Sequence, residues 1–310
     1  MRRAVNFCAP ALLMAIFVVF LAINTVFAMT SSNYKINWDS VNSGGLDLST
    51  STNYKMRDTI GEQATGYSTS THYKISAGYR AGDKYYPTLR FNVGTQENFS
   101  RTAYTEFSEA GNYVVVTDAT YFTADDYVGV VENQGLGQLI AVGKVTSVVG
   151  NTVYVDNWDG NQISLSQFPV GGDDYCYRLG GIAANFGALS SSEPKTALTI
   201  TDVASDAENG YTVNVYDDGD LSNGVSAIRN VSDGAVSLNS EEYGWRVFGS
   251  KAVNTGSDLP FQLTDTAIQQ SSVEAVDDER SAFVYKIAIE PFTPDGNYTH
   301  RVYFTVTANY

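Results

Sequence analysis

Hydrophobic and polar residues alternate with a period of two along the last thirty residues of the chain. The apolar positions in this pattern are Phe283, Tyr285, Ile287 and Ile289, followed by Tyr298, Val302, Phe304 and Val306. A period of two places successive side chains on opposite faces of a β-strand, so the segment predicts two half-buried strands. Pro291, Pro294 and Asp295-Gly296 interrupt the pattern, and they predict a connection that reverses the chain and pairs the two strands.

The same alternation predicts further strands along the rest of the chain. Up to residue 186, the predicted strands are Leu89–Val93, Tyr113–Thr117, Tyr127–Glu132, Leu139–Val149 and Thr152–Asn157. Beyond residue 195, they are Thr196–Thr201, Tyr211–Tyr216, Ala235–Leu238 and Gly244–Phe248. Gly150-Asn151 lies between two alternating runs, and because both residue types tolerate positive φ it predicts a tight hairpin.

These elements predict an all-β chain with several segments. We expect a signal peptide at 1–28, a short β-repeat segment at 29–82 and a central β-barrel or sandwich at 83–186. Residues 187–195, GALSSSEPK, are polar and contain a proline, which is typical of a linker. The strand density from 196 to 310 predicts a C-terminal β-sandwich of the immunoglobulin-like kind.

Three copies of a Tyr-Lys-apolar pattern lie close to the N-terminus. They are Tyr34-Lys35-Ile36, Tyr54-Lys55-Met56 and Tyr73-Lys74-Ile75. A repeat near 20 residues predicts short strands that cannot bury a face alone. With Asp58-Thr59-Ile60-Gly61-Glu62 and the ending from Tyr73 to Gly78, this stretch resembles a repeat found near the mature start of secreted bacterial proteins. The resemblance implies a location outside the cell.

Residues 1–28 have the pattern of a secretory signal. Arg2 and Arg3 precede an apolar run from Ala11 to Ile23, and Ala28 offers a cleavage site that would make Met29 the mature start. An uncleaved membrane anchor is the alternative, because the run is close to the lower length limit for a membrane span. Cleavage leaves Cys176 as the single cysteine, which excludes an internal disulfide and predicts a small buried residue.

The C-terminal segment carries a second resemblance. Asn209 to Val213 and the pattern from Pro294 to Val306 resemble the framing strands of bacterial surface sandwiches, namely WxL-type domains and spore-coat or fimbrial subunits. Trp245-Arg246-Val247 and Phe304-Thr305-Val306 stand where the WxL family has its two Trp-x-Leu motifs, and neither matches the motif. The resemblance therefore implies a surface sandwich without implying wall binding through that motif.

Composition limits the possible functions. The net charge of −15 becomes −17 once Arg2 and Arg3 leave with the leader, and so acidic a surface repels phosphate backbones and argues against nucleic-acid binding. The two histidines, His72 and His300, lie in no nucleophile motif, and the chain lacks the closely spaced His and Cys ligands of a zinc site. We therefore expect a protein that is not an enzyme.

Two acidic loops are candidate binding sites. Asp217, Asp218 and Asp220 lie in a Gly-containing turn whose oxygens could hold calcium, although the spacing is not that of an EF-hand and turns use the same residue types. Trp158 lies beside Asp156 and Asp159, and an exposed indole there could stack on a sugar ring. The alternative for this tryptophan is packing in the core.

The sequence as a whole favours an exported, non-enzymatic structural or adhesive protein of a bacterial cell surface. Its expected partners are a cell-wall polymer, a surface glycan or other surface proteins, with the membrane contacted only through an uncleaved leader. One alternative is a fibre subunit assembled by strand exchange, with residues 29–45 donated to the next copy. Another is a carbohydrate-binding or carbohydrate-active protein, which would need a pocket with converging carboxylates.

Overall fold

The structure is a computed structural model that describes residues 88–273 and 275–309, together with strand positions 49–50, 55–56, 66–69 and 74–77. The fold is all-β, as predicted. Its contacts divide the chain into two compact units, Met1–Tyr86 and Pro87–Tyr310.

The described positions of the first unit form two antiparallel strand pairs. Strand β1 (Ser49–Thr50) pairs with β2 (Lys55–Met56), and β3 (Gly66–Thr69) pairs with β4 (Lys74–Ala77). Strands β2 and β4 hold the Lys-apolar steps of the second and third repeat copies. The leader and the first repeat copy lie outside the described residues.

The described residues of the second unit, 88–273 and 275–309, form fourteen strands. In chain order they are β5 (Leu89–Gln96), β6 (Thr102–Ser108), β7 (Tyr113–Val116), β8 (Tyr127–Glu132), β9 (Leu139–Val149), β10 (Thr152–Val155), β11 (Asp159–Gly160), β12 (Tyr175–Gly181), β13 (Lys195–Ser205), β14 (Tyr211–Asp217), β15 (Glu242–Phe248), β16 (Thr266–Ser271), β17 (Val276–Ala288) and β18 (Val302–Ala308).

Six of these strands form a small barrel. The antiparallel pairings run β8–β9–β10–β7–β6–β12 and return to β8, which closes the ring. The side chains inside are mostly valines and aromatics, because alternate residues of each strand point inward. The predicted hairpin is confirmed, since β9 and β10 pair on either side of Gly150, whose φ is +60°. Cys176 is buried in this core, as predicted.

A β-sandwich adjoins the barrel. Strand β12 also pairs with β5, and from there the sheet continues β5–β13–β17–β15. A separate three-stranded sheet, β16–β14–β18, packs against one face of β13, β17 and β15 through a core that includes Tyr211, Trp245 and Phe283. Leu198 and Val284 belong to another cluster with residues of the barrel strands. Strands β13 and β17 are therefore buried on both faces, which explains their nearly continuous burial.

Two details of the predicted strand layout were wrong. The last two strands exist, but they do not pair with each other: β17 pairs with β13 and β15, whereas β18 pairs with β14 in the other sheet. Ala235–Leu238 is a loop, in which the Val236 amide donates to the Asp258 carboxylate instead of to a neighbouring strand. The predicted linker at 187–195 falls largely between β12 and β13, inside the second compact unit.

Candidate functional site

The predicted sugar-binding residues lie at the barrel. Trp158 is 6% exposed and its ring lies 5.1 Å from that of Phe107 in the barrel core. Asp159 accepts hydrogen bonds from the backbone amide and the hydroxyl of Ser250 at 2.7 and 2.9 Å. The Asp156 carboxylate binds Arg280. A sugar ring would therefore have to displace core contacts to stack on this indole.

The predicted calcium ligands point to different partners. The Asp217 carboxylate is buried and lies 3.8 Å from His300 Nδ1. Asp218 accepts from the backbone amide of Arg301 at 2.8 Å, and Asp220 accepts from Asn230 at 3.4 Å. Within the described ranges, no group of three or more His, Cys, Asp or Glu side chains is placed to hold a metal ion. Calcium binding stays a prediction.

A buried ionic cluster joins the barrel to the sandwich. The Arg280 side chain on β17 is fully buried, and its guanidinium donates to both carboxylate oxygens of Asp156 at 2.8 and 2.6 Å. Its Nε lies 3.7 Å from the equally buried Asp202 on β13. Asp202 also accepts a short hydrogen bond from the Tyr127 hydroxyl of the barrel. The cluster fixes the loop after β10 and strand β8 against the sheet.

Burial sets the protonation behaviour of this cluster. Loss of solvation raises the pKa of Asp202 above its ordinary value, although the Tyr127 hydrogen bond and the Arg280 charge oppose the shift. Burial also raises the pKa of Tyr127, and the neighbouring carboxylate adds to that shift. Both groups therefore favour the neutral state more than exposed groups do. We interpret the cluster as a structural link between the barrel and the sandwich.

A second buried ion pair lies at the other end of β17. The Lys286 ammonium donates to Asp258 at 2.8 Å and to the carbonyl of Leu136 at 2.9 Å. Both charged side chains are almost completely buried. Leu136 belongs to the loop between β8 and β9 of the barrel, so this pair is a second polar link between barrel and sandwich.

A large open groove lies beside β18 in the second unit. It encloses about 1210 Å³ between the segment 181–189 on one side and the segment 293–304 on the other. Its apolar lining includes Val93 of β5, Tyr285 and Ile287 of β17, and Phe304 of β18. We refer to this feature as the β18 groove.

The groove exists because the two sheets of the sandwich differ in width. Four strands, β5, β13, β17 and β15, lie opposite three, β16, β14 and β18. Phe91 on β5 packs against the sandwich core, and Val93, two residues further along the same face, is 39% exposed. No described residue covers this apolar part of β5 beside β18.

The core-facing side chains of β18 are more exposed than those of the neighbouring strand β14. The core-facing residues of β14, Tyr211, Val213 and Val215, are at most 2% exposed. The core-facing residues of β18, Val302, Phe304 and Val306, are all only partly buried. Within the described part of the chain β18 pairs with β14 alone, so its outer edge presents unpaired backbone groups.

His300 lies at one end of the β18 groove. Its Nδ1 lies 3.1 Å from the carbonyl of Gly219, which can only accept, so Nδ1 is the donor there, and Nε2 shares a 2.9 Å hydrogen bond with the Tyr243 hydroxyl. Burial raises the pKa of Tyr243 far above its ordinary value. Both ring nitrogens are thereby used in internal hydrogen bonds, and the His300 side chain is almost fully buried. His72 lies outside the described residues.

Sequence reasoning missed the β18 groove because alternation identifies strands without showing how many lie in each sheet. The available signal was the apolar series Leu89, Phe91 and Val93, which marks a face of β5 that needs a cover.

Among the residues described, no helix is long and apolar enough to cross a membrane. No protein-family model, curated protein or solved structure matches the chain.

Proposed function

We propose that the protein is an exported, non-enzymatic component of a bacterial cell surface with a structural or adhesive role. The signal-like residues 1–28, the Tyr-Lys repeat and the acidic composition support export and display. The all-β fold is compatible with such a role, and fold alone does not decide function.

The observation that carries the proposal is the β18 groove. Uncovered apolar surface beside an unpaired strand edge is a feature through which proteins bind extended chains. The polar clusters of the second unit, by comparison, link the barrel to the sandwich: Arg280 binds Asp156, and Lys286 binds Asp258. The second unit therefore offers a binding surface, and its buried charges have structural roles.

Fractionation of the producing cells tests the proposal. The wall, membrane and medium fractions are separated, and the intact mass of the protein is measured in each. We expect a mass that starts at Met29 in the wall fraction, with release by salt or chaotrope. A protein found in the cytoplasm with its leader intact would refute export, and a full-length species confined to the membrane would make residues 1–28 an anchor.

A fibre-forming subunit is the second candidate, and it is favoured by the outer edge of β18, which pairs with no other described strand. Strand addition to such an edge supplies backbone hydrogen bonds, while pockets for alternate side chains supply specificity. In this function the expected partner is another copy of the same protein.

A further inference from the structure

The β18 groove requires a particular kind of occupant. An added strand would pair its backbone with the outer edge of β18, and every second side chain would point toward the uncovered face of β5. Those inward side chains must be apolar, because they would contact Val93 and the partly buried Phe304. The opposite side chains would face solvent and should be polar.

One segment of the chain has this pattern and lies outside the second compact unit. Residues 32–38 read Ser-Asn-Tyr-Lys-Ile-Asn-Trp, with Tyr34, Ile36 and Trp38 alternating with Asn33, Lys35 and Asn37. The segment is seven residues long, as is β18. Because the segment lies outside the described residues, its ability to form such a strand is inferred from its sequence pattern. Alternation of large apolar and polar residues is typical of a strand that is buried on one face.

The charge distribution lets this N-terminal region approach the body of another copy without electrostatic repulsion. Residues 87–310 contain 11 Lys and Arg against 29 Asp and Glu, a net charge of −18. Residues 29–86 contain 6 Lys and Arg against 5 Asp and Glu, a net charge of +1. Two acidic bodies repel each other, whereas the N-terminal region can approach a body without that cost.

We propose that residues 32–38 of a second copy add as a strand to the outer edge of β18 and insert Tyr34, Ile36 and Trp38 into the β18 groove. This inference rests on the proposed surface function, because a structural component needs contacts between molecules. The added strand gives the small sheet a fourth strand opposite β5. Each copy then offers one donor segment and one groove, so the contact is head-to-tail and can continue from copy to copy.

Sedimentation of the mature chain, residues 29–310, tests the proposal with matched variants. Trp38→Ser removes an inserted side chain, and Asn37→Ser changes its solvent-facing neighbour as the control. Val93→Lys places a charge in the groove at a site exposed enough to tolerate it. We expect at least a tenfold rise in the concentration needed for association with Trp38→Ser and Val93→Lys, and no change with Asn37→Ser.

Cross-linking between two differently tagged chains identifies the donor. One chain carries Asn37→Cys and the other Thr305→Cys on β18, while the native Cys176 is buried and protected from oxidation. A disulfide between the two tagged chains is expected. A peptide of residues 32–38 should suppress this disulfide, whereas the same peptide with serine at positions 34, 36 and 38 should not.

The outcomes separate this inference from the proposed function. A mature chain that stays monomeric at all concentrations, or that associates equally well with Val93→Lys, refutes strand donation. A chain with both cysteines that forms a disulfide only within itself also refutes it, since its own segment then fills the groove. If fractionation still places such a monomer in the wall, the surface function stands without strand exchange.

Discussion

Removing the charge of Arg280 should strongly destabilise the protein. In Arg280→Met the side-chain volume is roughly kept, but Asp202 stays buried without its cation and Asp156 loses two hydrogen bonds of 2.8 and 2.6 Å. Breaking a buried ion pair from one side costs about 3 to 5 kcal/mol, because the remaining charge is uncompensated. For a unit of this size, that cost corresponds to a fall in unfolding temperature on the order of 10 °C.

Arg90 provides the matched control for this prediction. Its side chain is 48% exposed and pairs with Asp277 and Asp278 at 3.1 and 2.5 Å. Exposed pairs of this kind contribute at most about 1 kcal/mol, so Arg90→Met should have a small effect. The assay is urea unfolding of both variants and the wild type, followed by tryptophan fluorescence.

The pH dependence gives an independent check on the Arg280 prediction. Burial raises the pKa of Asp202, so the folded state holds this proton more tightly than the unfolded state does. Loss of Arg280 strengthens that effect, and the ionised carboxylate then destabilises the folded state most at neutral pH. The difference between wild type and Arg280→Met should therefore shrink as the pH falls toward about 4.

The double variant Arg280→Met with Asp202→Asn tests the cause directly. Replacing the buried carboxylate by a neutral amide should recover part of the lost stability, because no unpaired charge remains at that position. The reasoning is refuted if Arg280→Met costs no more than Arg90→Met, or if its cost is the same at pH 4 and pH 7.

The structure supports three further predictions, two on substitutions and one on thiol labelling. Lys286→Met leaves the buried Asp258 with only the more distant Arg246, 4.0 Å away, and urea unfolding should show a loss of about 3 kcal/mol. Gly210→Ala should lower the free energy of unfolding by about 1 kcal/mol more than Gly224→Ala does. Both glycines have positive φ, but a Cβ at position 210 would lie 2.1 Å from the backbone oxygen of Ser271 in β16, whereas a Cβ at position 224 would have no neighbouring atom within 4 Å. Burial raises the pKa of the Cys176 thiol, so a thiol reagent should label the mature chain only after unfolding.

Each of these three changes has an outcome that would contradict it. Near-normal stability of Lys286→Met would mean that the pair contributes nothing beyond the packing of its stem. Equal losses for the two glycine variants would show that φ alone sets the cost. Rapid labelling of Cys176 under native conditions would require the barrel to open far below its unfolding transition.

Local alternation of apolar and polar residues was enough to predict many of the strands. The runs at Tyr127–Glu132 and Leu139–Val149 were predicted with the bounds that β8 and β9 have. Gly150-Asn151 predicted the hairpin that joins β9 to β10. These features depend on side chains two residues apart and on the φ of a turn, which are local properties. Less regular strands, β6 and β16 among them, escaped prediction because their alternation is weak.

Strand pairing and the burial of side chains between the sheets depend on contacts between residues far apart in the sequence. Alternation shows that β17 and β18 each have an apolar face, but it cannot show that the two strands lie in different sheets. The fate of Trp158 likewise depended on the barrel closing around it. Arg280 and Lys286 look like surface residues in the sequence and are buried because the barrel covers the second face of β17. The β18 groove has the same origin, since it results from packing three strands against four, a long-range property that no local pattern encodes.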